Sequence, residues 1–201
     1  KGVSQNGWID EGIVRVVRTQ ENRGFGAGNN HGMRLGLASG ETPDFVYILN
    51  SDAWPDPEAV GKLLDLMRHE PEAGIAGSHV RGVDDGDHCT VFRFPTAAGE
   101  FEGAARTGVI SKLLSKSIVP MEIPRQTTQV DWVAGASMLL RRRMLDEIGL
   151  FDETFFLYYE ETELCHRAAQ AGWKTFYVPA SRIVQVGSAS TGLKIWTRTP
   201  R

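Results

Sequence analysis

The apolar positions of this chain fall into short, dense runs separated by longer amphipathic stretches. Runs at Ile13 to Val17, Phe45 to Leu49, Gly74 to Ser78, Ser137 to Leu140 and Lys174 to Val178 read as strands. Between them the period changes. After Asp56-Pro57, an N-cap and a first-turn proline, Val60, Leu63, Leu64 and Met67 return on one face and predict a helix. Further helices are predicted from Asn29 to Ala38, from Arg141 to Ile148 with Gly149 as the stop, and from about Glu161 to Gly172. Strands alternating with helices predict an α/β fold with a largely parallel, Rossmann-like sheet flanked by helices. From Asp84 to Gln129 the period breaks down into glycine, proline and scattered charge. Loops are expected there, with an antiparallel edge strand at Thr90 to Phe94.

Composition narrows the class without naming it. A chain of 201 residues, 41% hydrophobic and 23% charged, suits one well-buried soluble domain. A formal net charge of -3 supplies no general field that would gather nucleic acid, so no nucleic-acid partner is expected. The two cysteines, Cys89 and Cys165, are far apart and lack His/Cys ligand spacing, which argues against a zinc site or a disulfide framework and fits a reducing, cytoplasmic setting. No apolar run reaches the roughly 18 residues that cross a bilayer, which leaves peripheral contact with the inner face of a membrane open.

Two acidic segments are the strongest candidates for chemistry. Glu160, Glu161 and Glu163 follow the aromatic run Phe155-Phe156-Leu157-Tyr158-Tyr159 where a helix begins. Like charges and an apolar wall raise a carboxylate's pKa, and one of these can then act as a general base. The competing reading is an acidic helix start that complements the dipole. Upstream, the strand Phe45 to Leu49 delivers Asn50-Ser51-Asp52 to its carboxyl end, where open α/β sheets form ligand crevices. Asn50 and Asp52 fall on one side of an extended chain and suit a hard divalent cation shared with phosphates, or else simply shape the turn before Pro55. The glycine-rich stretch from Glu21 to Asn30 follows the first strand and opens a helix, so its backbone NH groups can approach a phosphate or a ring. Its spacing matches neither a dinucleotide fingerprint nor a P-loop. Trp132 either stacks on a sugar or fills a core, and Arg141-Arg142-Arg143 is either an anion patch or a solvated helix face.

Taken in order, Asn-Arg-Gly-Phe-Gly-Ala-Gly-Asn-Asn (22 to 30), Leu-Asn-Ser-Asp (49 to 52), Trp-Val-Ala-Gly-Ala (132 to 136), the block from Gly149 to Arg167 and Ala-Gly-Trp-Lys (171 to 174) resemble the family 2 glycosyltransferases. The bacterial rhamnosyltransferase-like branch is the most similar. The resemblance implies a GT-A fold and inverting transfer of a sugar from a nucleotide-diphosphate donor, dTDP-rhamnose or a UDP-sugar. The acceptor implied is a hydroxyl of a cell-surface polysaccharide or glycolipid, so the partners are a nucleotide sugar and a glycan or lipid-linked acceptor. It implies Mg²⁺ or Mn²⁺ held by Asp52, catalysis by the pair Glu160 and Glu161 with Glu161 as base, and donor contacts from Asn22, Arg23, Gly24, Asn29, Asn50 and Asp52. Trp132 and Gly135 fall on the acceptor side, and Glu163 and Arg167 at bracing positions.

Three departures from the family pattern change these expectations. Glu161 stands where Asp is commoner, which adds a methylene and keeps the chemistry. Gln185 stands where a histidine usually reaches the metal, and an amide oxygen binds a hard cation more weakly. Family members open with a βαβ unit that holds the nucleotide base, and this chain begins after that point. Residues 1–201 are therefore expected to be a single GT-A domain lacking that unit and a C-terminal extension. A carbohydrate- or nucleotide-binding domain without catalysis fits the same departures, and a nucleotidyltransferase is a third reading. The stretch from Gly108 to Val119 is either a contact for a lipid-linked acceptor or an amphipathic helix on the core.

Overall fold

The computed structural model describes residues 14–37, 39–94 and 120–186. Helix α1 spans Phe25–Leu35. It is followed by strands β1 (Phe45–Leu49) and β2 (Ala53–Pro55), helix α2 (Ala59–His69) and the long strand β3 (Ala73–Gly82). Short strands β4 (Val91–Phe92), β5 (Thr128–Val130) and β6 (Trp132–Val133) precede β7 (Ser137–Arg141), helices α3 (Arg142–Ile148) and α4 (Glu160–Gln170), and β8 (Lys174–Gln185).

The main sheet runs in the order β1-β7-β3-β8-β2, with β5 also paired to β8. It is mixed rather than largely parallel: among the described residues β3 and β8 form the parallel pair, and every other pairing in the sheet is antiparallel. The alternation of strands and helices was still informative, because β1, β3 and β8 all point the same way. What it could not reveal is that β7, reached by a long connection, inserts between β1 and β3 in the opposite direction. Strand β8 is more than twice its predicted length. Its first half pairs with β5, and after a bulge its second half pairs with β2.

Alternating side chains of the sheet feed two cores. On one face Ile75, Met138, Leu140 and Tyr177 pack under Met33 of α1, Met144 and Leu145 of α3, and Leu164, Cys165 and Ala168 of α4. On the other, Ala76, Leu139 and Val178 meet Leu63 and Met67 of α2. The helix predicted after Asp56-Pro57 is thus present and buries the expected face, although Val60 and Leu64 are only half-buried at its margin. Its start falls at Ala59, whose NH is taken by the Asp56 carbonyl (2.9 Å).

Three local expectations change. Val14 to Val17 form no strand and are exposed, while Ile13 lies outside the described residues. Helix α1 begins four residues before Asn29, because the first helical bond runs from Gly28 NH to the Gly24 carbonyl (3.1 Å), so the glycine-rich segment is the helix's own first turn. The strand expected at Thr90 to Phe94 shortens to Val91–Phe92 and pairs with β6 in a separate two-stranded sheet rather than edging the main one. The stretch from Gly108 to Val119 lies outside the described residues. The arginine run is absorbed by structure. Arg141 donates to the Met67, Glu70 and Ala73 carbonyls at the end of α2, Arg142 pairs with Asp146, and Arg143 lies over the Trp173 ring.

Candidate active site

A continuous series of contacts draws the glycine-rich turn, both acidic segments and Gly135 together at the carboxyl end of β1. Gly24 adopts φ +93°, a left-handed conformation that side-chain-bearing residues avoid. A Cβ built there would stand 2.0 Å from the Phe156 carbonyl oxygen, and the next residue, Phe25, donates its NH to that same oxygen (3.1 Å). The glycine-rich turn is thereby pinned to the aromatic run before the acids. Gly135 is the second junction. A Cβ on it would lie 3.1 Å from the Phe25 ring and 4.0 Å from Glu161 Cβ. Beside it, the Ala136 carbonyl accepts the Asn50 NH (3.0 Å), which ties the turn before β7 to the end of β1.

Asn50 in turn caps the short turn into β2, with Ala53 NH on its carbonyl (3.1 Å). Asp52 and Gln185 meet there directly. Gln185, on the last residue of β8 and buried, donates Nε2 to Asp52 Oδ1 (3.1 Å), and Val186 NH bonds the Asp52 carbonyl (3.0 Å). Residues separated by most of the chain are adjacent because β2 pairs with the end of β8, setting Ala53 opposite Gln185.

Glu161 is half-buried in the first turn of α4. Burial pushes its carboxyl up to about 7, opposed in part by a backbone hydrogen bond and reinforced by the neighbouring charge of Glu160. Glu160 is 2% exposed, and its Oε2, like Thr162 Oγ1, has no hydrogen-bond partner among the described residues. Buried polar atoms in folded proteins are nearly always paired. Both atoms flank Glu161 in the first turn of α4. Behind this turn Arg167 ties the helix down, donating to both oxygens of Glu163 (2.5 and 2.6 Å) and to the carbonyls of Ile148 (2.5 Å) and Leu150 (2.8 Å).

The other candidates divide into those facing the junction and those holding it. Asn22 Oδ1 accepts the Gly24 NH (3.1 Å) and shapes the turn. Arg23 is exposed and paired with Glu153 (3.3 Å), and Asn29 bonds the Phe25 carbonyl (3.0 Å). Trp132 is half-buried and stacks on Phe92 (ring centroids 4.0 Å), with its indole NH on the Arg93 carbonyl (3.0 Å), so one ring face is already covered. The residue the sequence reading passed over is Asn30. It is fully buried, donates to the Phe151 carbonyl (2.8 Å) and to Glu153 (3.0 Å), and accepts the Phe151 NH (3.0 Å), fastening α1 to the segment that leads into the acids. Its signal was legible: Asn30 lies three residues from both Ala27 and Met33, on the apolar face of α1.

Asp52 fits a divalent cation of limited kind. Among the described residues no group of three or more His, Cys, Asp or Glu is arranged to hold a metal. Mg²⁺ or Mn²⁺ that keeps waters and leans on one carboxylate plus substrate phosphates needs no such group. Gln185 presents its NH₂ to Asp52, so its amide would have to turn before its oxygen faced the same ion.

Comparison with known proteins bears on the fold and the family. Two solved structures share the fold. One is GalNAc-T7 with UDP, GalNAc and Mn²⁺ (TM-score 0.62, 13% identity, 96% of this chain and 35% of that one). The other is the mannosyltransferase PcManGT from Pyrobaculum calidifontis with GDP-Man and Mn²⁺ (TM-score 0.55, 14% identity, 92% and 44%). The fold is that of the GT-A glycosyltransferases. Residues 9–200 match the family described as "Glycosyltransferase like family 2", and the chain belongs to it. Among its relatives, an N-acetylglucosaminyl-diphospho-decaprenol L-rhamnosyltransferase of Mycobacterium tuberculosis is 28% identical over 191 residues, covering 89% of this chain and 61% of that protein. Rhamnosyltransferase WbbL of Escherichia coli K12 is 39% identical over 67 residues, 33% of this chain and 25% of its own. The chain thus spans about three fifths of the longer match. No helix among the described residues is long and apolar enough to cross a membrane.

Proposed function

We propose that this domain catalyses inverting sugar transfer, with Glu161 as the base and Asp52 on the donor side. The observation that carries the reading is the junction itself. A carboxylate raised to about 7 sits across Gly135 from the β1 end, whose Asn50 and Asp52 are positioned by Ala136 and Gln185. Glu161 takes the proton of an acceptor hydroxyl while that oxygen forms its bond to the anomeric carbon. The bond from that carbon to the diphosphate breaks on the opposite face, and the electron pair leaves with the nucleoside diphosphate. A base near 7 is ionised enough to accept the proton and basic enough to hold it. Mg²⁺ or Mn²⁺ bound by Asp52 and the donor's phosphates would supply charge neutralisation for the leaving group. The Gly24 and Phe25 NH groups are taken by Asn22 Oδ1 and the Phe156 carbonyl, so any backbone contact of this turn with the donor's phosphates falls to the other NH groups at the start of α1.

Relatives that transfer rhamnose, one of them named for a lipid-linked amino-sugar acceptor, support dTDP-rhamnose, or a UDP-sugar, as donor. They also support a polysaccharide or glycolipid precursor as acceptor. A second reading, a nucleotide-sugar-binding domain without turnover, draws on the Gln185 amide that occupies Asp52 Oδ1. Titration calorimetry of the full-length protein with UDP-, dTDP- and GDP-sugars, with and without Mn²⁺, tests donor recognition. Metal-dependent binding of one donor, lost in Asp52→Ala, is expected. Failure of every donor to bind under any condition would overturn the transferase reading.

A further inference from the structure

Two consecutive tyrosines immediately before the acids break the rules of helix starts. Tyr158 and Tyr159 have φ of 70° and 74°, and among the described residues the other non-glycine at positive φ is Asp85. Such a conformation costs an ordinary residue on the order of 1 kcal/mol or more. Tyr159 is also the N-cap of α4, a position favouring an extended Ser, Thr, Asp or Asn, and it supplies no side-chain cap. Glycine or asparagine at both positions would relieve the backbone, so the local structure does not account for aromatic rings here. The rings are not needed by the core either, since Tyr158 is 49% and Tyr159 63% exposed. Their placement is nonetheless fixed: Phe156 is held by Phe25 on one side, and the first bond of α4, from Glu163 NH to the Tyr159 carbonyl (2.8 Å), holds the other.

We infer that Tyr158 and Tyr159 form an aromatic platform for the saccharide ring of the acceptor, beside Glu161. The inference rests on Glu161 being the base, because that role brings the acceptor hydroxyl within two residues of Tyr159, a chain length of about 7 Å. Charge selects the occupant. From Leu150 to Glu160 there is no Lys, Arg or His, and the neighbouring Arg23 and Arg34 are paired with Glu153, so the segment itself offers a phosphate no cationic partner and suits an uncharged, hydroxyl-bearing ring. Tyrosine offers both features such a ring needs, an apolar face for its C–H surface and a hydroxyl for its rim.

The test uses full-length protein and two probes, the methyl and decyl glycosides of N-acetylglucosamine. Tyr159→Ala is expected to weaken binding of the methyl glycoside about five- to tenfold by saturation-transfer NMR and to raise acceptor KM equally. Donor affinity should stay within about twofold of wild type, and Tyr159→Phe, which keeps the ring face and loses the hydroxyl, should weaken acceptor binding by less than Tyr159→Ala. Tyr159→Gly separates platform from backbone. It should raise Tm above that of Tyr159→Ala by removing the strain, yet bind acceptor as poorly. Recovery of acceptor binding in Tyr159→Gly would reduce the role to backbone geometry and overturn the inference. So would unchanged binding in all variants, no saturation transfer from wild type, or a defect confined to the decyl glycoside, which would mean contact with lipid instead. Glu161→Gln run in parallel keeps the two readings apart, since it should abolish transfer while leaving glycoside binding intact.

Discussion

Glu161 is asked to be both buried and ionised, and the two demands pull stability and activity apart. With its carboxyl raised to about 7 in the folded protein from the usual 4.5, the folded state binds the proton more tightly than the unfolded chain. Stability from this group is therefore fully present below about pH 4.5 and is lost as pH rises through about 7. Activity moves the other way, since only the ionised base accepts a proton. kcat/KM should rise through a limb near pH 7, and Glu161→Gln should remove that limb together with turnover. The same variant should be more stable than wild type at pH 8 by about 1–3 kcal/mol in urea unfolding, with little difference at pH 4. Equal stability at both pH values would contradict the burial argument. Asp52 supports a second prediction. Gln185→His replaces an amide that donates to Asp52 with a ring nitrogen able to bind a cation, so Mn²⁺ affinity measured with donor present should rise about tenfold or more. At this scale the carboxylates were legible because acids beside aromatics are chemically conspicuous. Asn30 was not singled out, because an amide inside a glycine-rich turn looks like turn chemistry until its buried partners are seen.

Elements meet at points where one added atom is too many. Gly24→Ala introduces a Cβ against the Phe156 carbonyl and a strained φ, and should cost about 3 kcal/mol or more. Because the clash falls on the segment leading to Glu161, kcat should suffer even where the protein remains folded. Asn30→Ala leaves the Phe151 NH and carbonyl buried without their partner and should cost about 2–4 kcal/mol, visible as a lower Tm. Helices α2, α3 and α4 were readable from apolar spacing and stop signals because their buried faces follow the helical period. Strands β2 and β5 were not, since three residues are too few to show alternation and exist through pairing with β8. The doubled length of β8 was hidden for a related reason: Pro179 to Arg182 interrupts the apolar run at the bulge, where the strand changes partners.

For the whole molecule, the order β1-β7-β3-β8-β2 gathers the carboxyl ends of β1 and β8 with the turn before β7, and so assembles one site from residues spread from Asn22 to Gln185. The direction of β1, β3 and β8 could be read from the sequence, but the insertion of β7 between two of them could not, because neighbours in a sheet are chosen by tertiary packing. Membership of the family 2 glycosyltransferases makes that order intelligible as a GT-A fold. The proposed site, with Asp52 as its one carboxylate for the metal, also predicts a thermodynamic pattern. Mn²⁺ alone should shift Tm little, and donor with Mn²⁺ should shift it by more than the sum of the two separately, with about 2.7 kcal/mol of linkage expected at 100 times Kd. The proposed function requires Glu161 to act in chemistry rather than in binding. The most direct measurement is sugar transfer in a single turnover by full-length wild type and Glu161→Gln, with donor affinity determined on the same samples. Loss of transfer by a factor of about 10³ or more with donor affinity unchanged is the predicted result. Transfer retained within about tenfold would remove Glu161 from the role of base.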